Sequence, residues 1–458
     1  MNNKTLSLLA LAIAGVLALP LSNMLGFSGE NEPISVISGS SERFAKVSQI
    51  FQNKCVDCHS PGMTRMPIYA TFPIAKQLMA KDIENASDRL VLSQQLYSGK
   101  DAFTPLMLAR IEGVVRNKSM PPALYLSMHW TDNLNDDERQ LILDWISEER
   151  KKLPLSVDAA KDLKDEPVQP LPLKVDLDME KVALGHKLFH EKSLSGDNTL
   201  SCSSCHDLNK GGTDQTKVAT GIKGQQGPIN SPTVYNAMYN LAQFWDGRAK
   251  DLQEQAAGPV ANPMEMGANW DDVVEKLKQV SDYQIAFNKL YAEQGLTKTT
   301  VTDAIATFEK SLVTPNSRFD QYLRGNNTIL TADEKAGYAL FKENCTSCHF
   351  GAALGGLSFE KMGVKNDYFK LRGGQLSEVD NGRFNVTKQE KDRYFFKVPV
   401  LRNVELTSPY FHDGSVTKLE DAVRMMAKVQ RDKNFTNDEV NKVVAFLKTL
   451  TGTALVHK

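Results

Sequence analysis

The chain carries no excess charge of either sign: 54 basic against 55 acidic residues leave a formal net charge of -1. Nothing in that balance points to nucleic acid or an anionic surface, and no nucleic-acid partner is expected. Cysteine is scarce as well, and none is to spare. All six fall in Cys55-Val56-Asp57-Cys58-His59, Cys202-Ser203-Ser204-Cys205-His206 and Cys345-Thr346-Ser347-Cys348-His349. A redox dithiol, a zinc site or a disulfide framework needs no His directly after the second Cys, three times over. No convincing series of alternating strands is present, so the fold is expected to be mainly α. Long apolar runs are almost absent; the exception is Leu6 to Leu21.

What remains is a C-x-x-C-H motif repeated three times, the attachment signature of c-type haem. Two thiols about one helical turn apart can each form a thioether with a vinyl group, and the adjacent imidazole then faces the iron. Three covalently bound haem c groups are therefore expected, on Cys55 and Cys58, Cys202 and Cys205, and Cys345 and Cys348, with His59, His206 and His349 as iron ligands. Lys4 and the apolar run after it read as a signal peptide or a membrane anchor. The cleavage signal at Gly26-Phe27-Ser28 is weak, which favours an uncleaved helix in the inner membrane with Lys4 in the cytoplasm. Either reading puts the haem motifs in the periplasm.

The length, 458 residues, suggests three domains. Phe51-Gln52-Asn53-Lys54-Cys55 and Phe341-Lys342-Glu343-Asn344-Cys345 resemble each other, and Leu184 to Phe189 is a looser copy, which implies one module per haem. Residues 151–176, rich in Lys and Asp with Pro154, Pro167, Pro170 and Pro172, read as a linker. The expected organisation is thus an anchor or signal peptide at 1–28 and a monohaem cytochrome domain at 33–150. The linker at 151–176 leads to haem domains at 177–315 and 316–458. Helical periodicity is clearest at Asp136–Arg150, Trp270–Leu277, Thr300–Leu312, Lys418–Met426 and Asn437–Leu450. In the first module Met120, in Ser119-Met120-Pro121-Pro122, is the leading candidate for the second axial ligand, with Met128 next. His/Met ligation closes the iron and raises its potential, so this module is expected to carry electrons.

Several further segments agree in order and spacing: Leu184-Gly185, Leu194-Ser195, Gly227-Pro228-Ile229-Asn230-Ser231-Pro232-Thr233, Phe244-Trp245-Asp246-Gly247-Arg248, Gln255-Ala256, Gly258-Pro259, Glu265-Met266, Leu401-Arg402-Asn403 and Pro409-Tyr410-Phe411-His412-Asp413-Gly414-Ser415. From Leu184 onward the chain resembles the bacterial dihaem cytochrome c peroxidase family. With its extra N-terminal motif it looks like the membrane-anchored three-haem branch, which includes quinol peroxidases. The resemblance implies that the haem at His206 is the peroxidatic one, with Glu265 and Gln255 on its open face. It implies Met426 as the sixth ligand of the haem at His349, Trp245 between the two haems, and a calcium ion held by Asn230, Thr407 and Pro409. Met425 is the confounder of Met426, because adjacent helical residues point about 100° apart and only one can face the iron.

A carboxylate beside the iron can take a proton from one peroxide oxygen and return it to the other, and desolvation raises its pKa toward the working range. In much of the family a His follows a Gly before the Gly-Pro-x-Asn segment and ligates the resting peroxidatic iron. Here that place holds Gly221-Ile222, so this site is expected to be open in the oxidised protein. His186 and His190, four apart, read as ordinary partly exposed residues. The expected activity is reduction of hydrogen peroxide to two waters with electrons from quinol or a small cytochrome c. The rivals are a relay with every iron closed, and a protein-oxidising maturase in which Tyr stands in place of the Met ligand.

Overall fold

A computed structural model describes residues 35–60, 72–127, 129–154 and 157–454, together with Ala18 and Leu21. It divides into two compact units, Met1–Leu153 and Pro154–Lys458. Numbering the principal helices in chain order, the first unit holds α1 (Glu42–Lys54), α2 (Pro105–Arg116) and α3 (Asp136–Lys151). Its core is aromatic. Trp145 of α3 is fully buried, with the rings of Phe44, Phe51 and Phe103 at 5.7, 5.6 and 4.8 Å. A capping box between Asn135 and Glu138 starts α3, three acidic residues occupy its first turn, and Arg150 and Lys151 occupy its last, each charge matched to the helix dipole.

The second unit holds α4 (Met179–Phe189), α5 (Leu252–Ala261), α6 (Trp270–Lys278), α7 (Lys298–Ser311), α8 (Ala332–Asn344), α9 (Leu419–Arg431) and α10 (Asn437–Lys448). The expected helices are present, with Lys418 as the residue that caps α9 rather than its first member. The module repeat is visible in packing. α4 crosses α7 at Gly185, where a Cβ would lie 2.0 Å from the Ala304 carbonyl oxygen, and α8 crosses α10 at Gly337, where it would lie 1.9 Å from that of Lys442. Only a hydrogen side chain permits either approach. The sole sheet among the described residues is two short antiparallel strands, β1 (Phe359–Lys361) and β2 (Phe395–Lys397).

Two expectations are corrected. Anchoring through an N-terminal helix finds no support, since no helix among the described residues is long and apolar enough to cross a membrane. The segment assigned to that anchor, 1–28, lies outside the described residues apart from Ala18 and Leu21. The linker at 151–176 is not a free tether either. Val168 and Leu171 are fully buried in the second unit's core. Leu171 N–H donates to Asp320 Oδ1 at 3.1 Å, and Arg402 Nη2 donates to the Gln169 carbonyl at 3.2 Å while pairing with Asp320 at 2.8 Å. The segment is a strap whose polar composition hides a few buried anchors. The haem domains expected at 177–315 and 316–458 lie together in the second compact unit.

Candidate active site

All three haem motifs fold alike. The residue before each turn hands its chain to a single helical turn, in which the His N–H donates to the carbonyl of the first Cys: 3.1 Å for His59, 3.0 Å for His206 and 2.9 Å for His349. First Cys and His are therefore four apart on one helical face. Each imidazole is then held by Nδ1 against a backbone carbonyl, His59 on Leu90 at 2.8 Å, His206 on Gly212 at 3.3 Å and His349 on Leu354 at 2.9 Å. A carbonyl can only accept, so Nδ1 carries the proton and the Nε2 lone pair is left for a metal. Burial pushes all three imidazoles below their ordinary pKa, which keeps them neutral and able to ligate. None of the six cysteines is in a disulfide.

In the second unit two cavities lie behind these groups. The larger, about 300 Å³, is lined by Cys345, Cys348 and His349 and by apolar side chains such as Phe341, Leu419, Val423 and Met426. Met425 does not line it, although Met362, which the sequence reading passed over, does. Tyr410, Asn230, Thr407 and Pro409 complete other parts of its wall. The smaller, about 140 Å³, brings Cys202, Cys205 and His206 together with Gln255, Glu265 and Arg248. A thiol pair and a neutral imidazole opening on a largely apolar cavity are the donor set that covalent haem requires, so the residues fit the group. Trp245 lines both cavities and donates its indole N–H to the Asn230 carbonyl at 2.9 Å. In the first unit Met120 is half-buried ahead of the short helix Ala123–Leu126, and Met128 lies outside the described residues.

Glu265 is set by backbone contacts around the end of α5. Its N–H donates to Asn262 at 3.0 Å and its carbonyl accepts from Ile222 N–H at 2.8 Å. Asn262 Nδ2 donates to its Oε1 at 2.8 Å. Burial raises its pKa, against the lowering by Arg248 and Asn262. Ile222 itself is buried, and its Cδ1 lies so near Gly267 that a Cβ there would meet it at 2.4 Å. It contributes no side chain to the cavity wall, whereas Met264 and Met266, flanking Glu265, do.

One residue of this cavity escaped the sequence reading. Glu309, on α7, is 4% exposed, its Oε2 has no hydrogen-bond partner among the described residues, and burial pushes its pKa up to about 8. The signal was in the periodicity: Glu309 lies four residues after Ile305, on the face that helix buries. His186 and His190 pack with their rings 4.8 Å apart, His186 also against Phe308, away from either cavity wall.

Comparison with known proteins places the chain. Residues 179–328 match the family model described as di-haem cytochrome c peroxidase, and residues 27–148 match a haem-binding domain. A cytochrome c peroxidase of Escherichia coli (strain K12) is 45% identical over 408 residues, covering 87% of this chain and 85% of that protein. A cytochrome c551 peroxidase of Nitrosomonas europaea is 48% identical over 289 residues, covering 63% and 85%. Among solved structures, a MauG-like protein associated with microbial copper homeostasis aligns with TM-score 0.54 and 29% identity, over 63% of this chain and 94% of that one.

Proposed function

We propose, from the premise that this chain belongs to the di-haem cytochrome c peroxidase family, that it is a periplasmic peroxidase with three haems, reducing hydrogen peroxide to two waters with electrons from a small cytochrome c. The observation that carries the reading is Glu265: a half-buried carboxyl with a pKa raised by desolvation, in the cavity onto which His206 opens. Haem c, when bound at Cys202, Cys205 and His206, supplies the redox centre at which the O–O bond is reduced.

The chain's own groups do the rest. Glu265, as carboxylate, takes the proton from one peroxide oxygen and returns it to the other, so that water rather than hydroxide leaves. Gln255, on the same wall, offers an amide that can orient the peroxide. Two further protons and two electrons complete two waters. His349 and Met426 would hold the haem that supplies electrons, and Trp245, which lines both cavities, would then lie between that group and the one at His206. His59 and Met120 would hold the haem of the first unit, through which electrons would enter. Asn230 commits its Nδ2 to the Thr216 carbonyl at 3.0 Å, which leaves Oδ1, with the carbonyls of Thr407 and Pro409, to hold a calcium ion.

Ile222 has no donor atom and its side chain does not line the cavity, so the loop that carries it would supply no ligand to a haem at His206, which would then be open in the oxidised protein. A low-spin bis-His or His/Met signal from this site would overturn that statement. The protein-oxidising alternative rests on Tyr410, which lines the same cavity as Met426. It requires Tyr410 in place of the thioether.

Rapid mixing of the fully reduced holoprotein with stoichiometric hydrogen peroxide tests the reading. Two haems should oxidise per peroxide, and Glu265→Gln should slow this by about 10²- to 10⁴-fold, the usual worth of a positioned acid and base. Slow oxidation indifferent to the substitution would mean a relay with closed irons. Turnover with reduced cytochrome c against turnover with a quinol then assigns the donor.

A further inference from the structure

Beside this machinery sits an unmatched cation. Lys397 closes β2, and its backbone N–H donates to the Trp245 carbonyl at 2.8 Å. The residue is 6% exposed, and its side chain lines the cavity of about 300 Å³ that holds Cys345, Cys348 and His349. No hydrogen bond or ion pair reaches its ammonium among the described residues. Burial alone moves its pKa, down to about 8, with no carboxylate pulling it back. Glu360 is the one acidic residue on the cavity wall, and Arg431 adds a second cation there.

A buried ammonium persists in a protein where something anionic faces it. Glu360 does not pair with Lys397, and no other carboxylate of the chain lines the cavity, so the partner belongs to whatever fills it. Haem c carries two ionised groups, its propionates. We infer that Lys397 holds a propionate carboxylate of the haem attached at Cys345 and Cys348, on the Trp245 side of that cavity. The inference rests on the reading that this cavity holds haem c. Lys397 is then a cofactor-binding residue that also sets a potential. Its charge offsets the propionate's, which favours the reduced, less positive haem.

The test is potentiometric titration of the full-length holoprotein, followed by absorbance, for the wild type, Lys397→Met and Lys397→Arg. One of three couples should fall in Lys397→Met by at least tenfold in its one-electron equilibrium, about 59 mV. The other two should stay, and Lys397→Arg should restore most of the loss. A shift under twofold in every couple, with peptide mass showing haem on Cys345 and Cys348, overturns the inference and leaves the peroxidase reading intact. Absence of haem from that peptide overturns both. Should Lys397→Met not mature, resonance Raman decides: the propionate bending mode should differ between wild type and Lys397→Arg, and identical modes refute the contact.

Discussion

Glu309 makes the sharpest quantitative prediction. Its folded-state pKa is pushed to about 8 from an ordinary 4.5. Below pH 4.5 the carboxyl is protonated folded or unfolded and contributes nothing to pH dependence. Between 4.5 and 8 the folded protein keeps a proton the unfolded chain has lost, so stability falls as pH rises, by about 1.4 kcal/mol per pH unit. Above 8 both states are ionised and the cost is constant. At pH 7 the accumulated penalty is about 3 kcal/mol, an upper figure because a real interior relaxes. Glu309→Gln keeps shape and removes the ionisation. Its melting temperature relative to wild type should be nearly unchanged at pH 5 and higher by several degrees at pH 7, at roughly 2–4 °C per kcal/mol. Thermal unfolding of the two holoproteins, followed by far-UV circular dichroism at both pH values, measures this. The haem ligands titrate alike in both proteins and cancel in the difference. An equal difference at the two pH values would refute the reasoning, because it would mean that Glu309 ionises like an exposed acid. The functional corollary is that Glu309 adds to the cavity at His206 a carboxyl that keeps its proton at neutral pH.

Met426→Ala should abolish a methionine–iron charge-transfer band and lower one reduction potential, whereas Met425→Ala and Met362→Ala should leave both, as optical titration will tell. Gly221→Ala would bring a Cβ to 1.9 Å from the Met264 carbonyl oxygen. The Glu265 segment must then move, and peroxidase turnover should fall by about 100-fold at unchanged haem content, the usual result of misplacing a catalytic group by an ångström.

Much of this was legible because it is local. A C-x-x-C-H motif names its own ligand, and the α3, α6, α7 and α10 patterns carry their apolar stripe within a dozen residues. Glu265 was singled out only through the family resemblance that the surrounding short motifs carry, since an isolated acid in a loop carries no signal. The strap was misread because composition averages over it. Two residues, Val168 and Leu171, are enough to bury it, and the partners that fix it, Asp320 and Arg402, stand some 150 and 230 positions away. β1 and β2 are three residues each, too short for alternation to register. Lys397 offered nothing to read, for a lysine in Phe-Phe-Lys-Val looks like a strand end until a cavity is seen behind it.

The strap also bears on how such proteins are assembled from parts. Because residues 157–176 are stitched into the core of the dihaem unit, a gene that gains or sheds an N-terminal haem module can be cut cleanly only upstream of them. A junction placed after residue 176, where composition alone would put it, strips Arg402 of one of its carbonyl acceptors and lays Phe319 and Val313 open to water. The Pro-rich stretch thus travels with the peroxidase as its leading edge, and the interchangeable boundary is the few residues around 154.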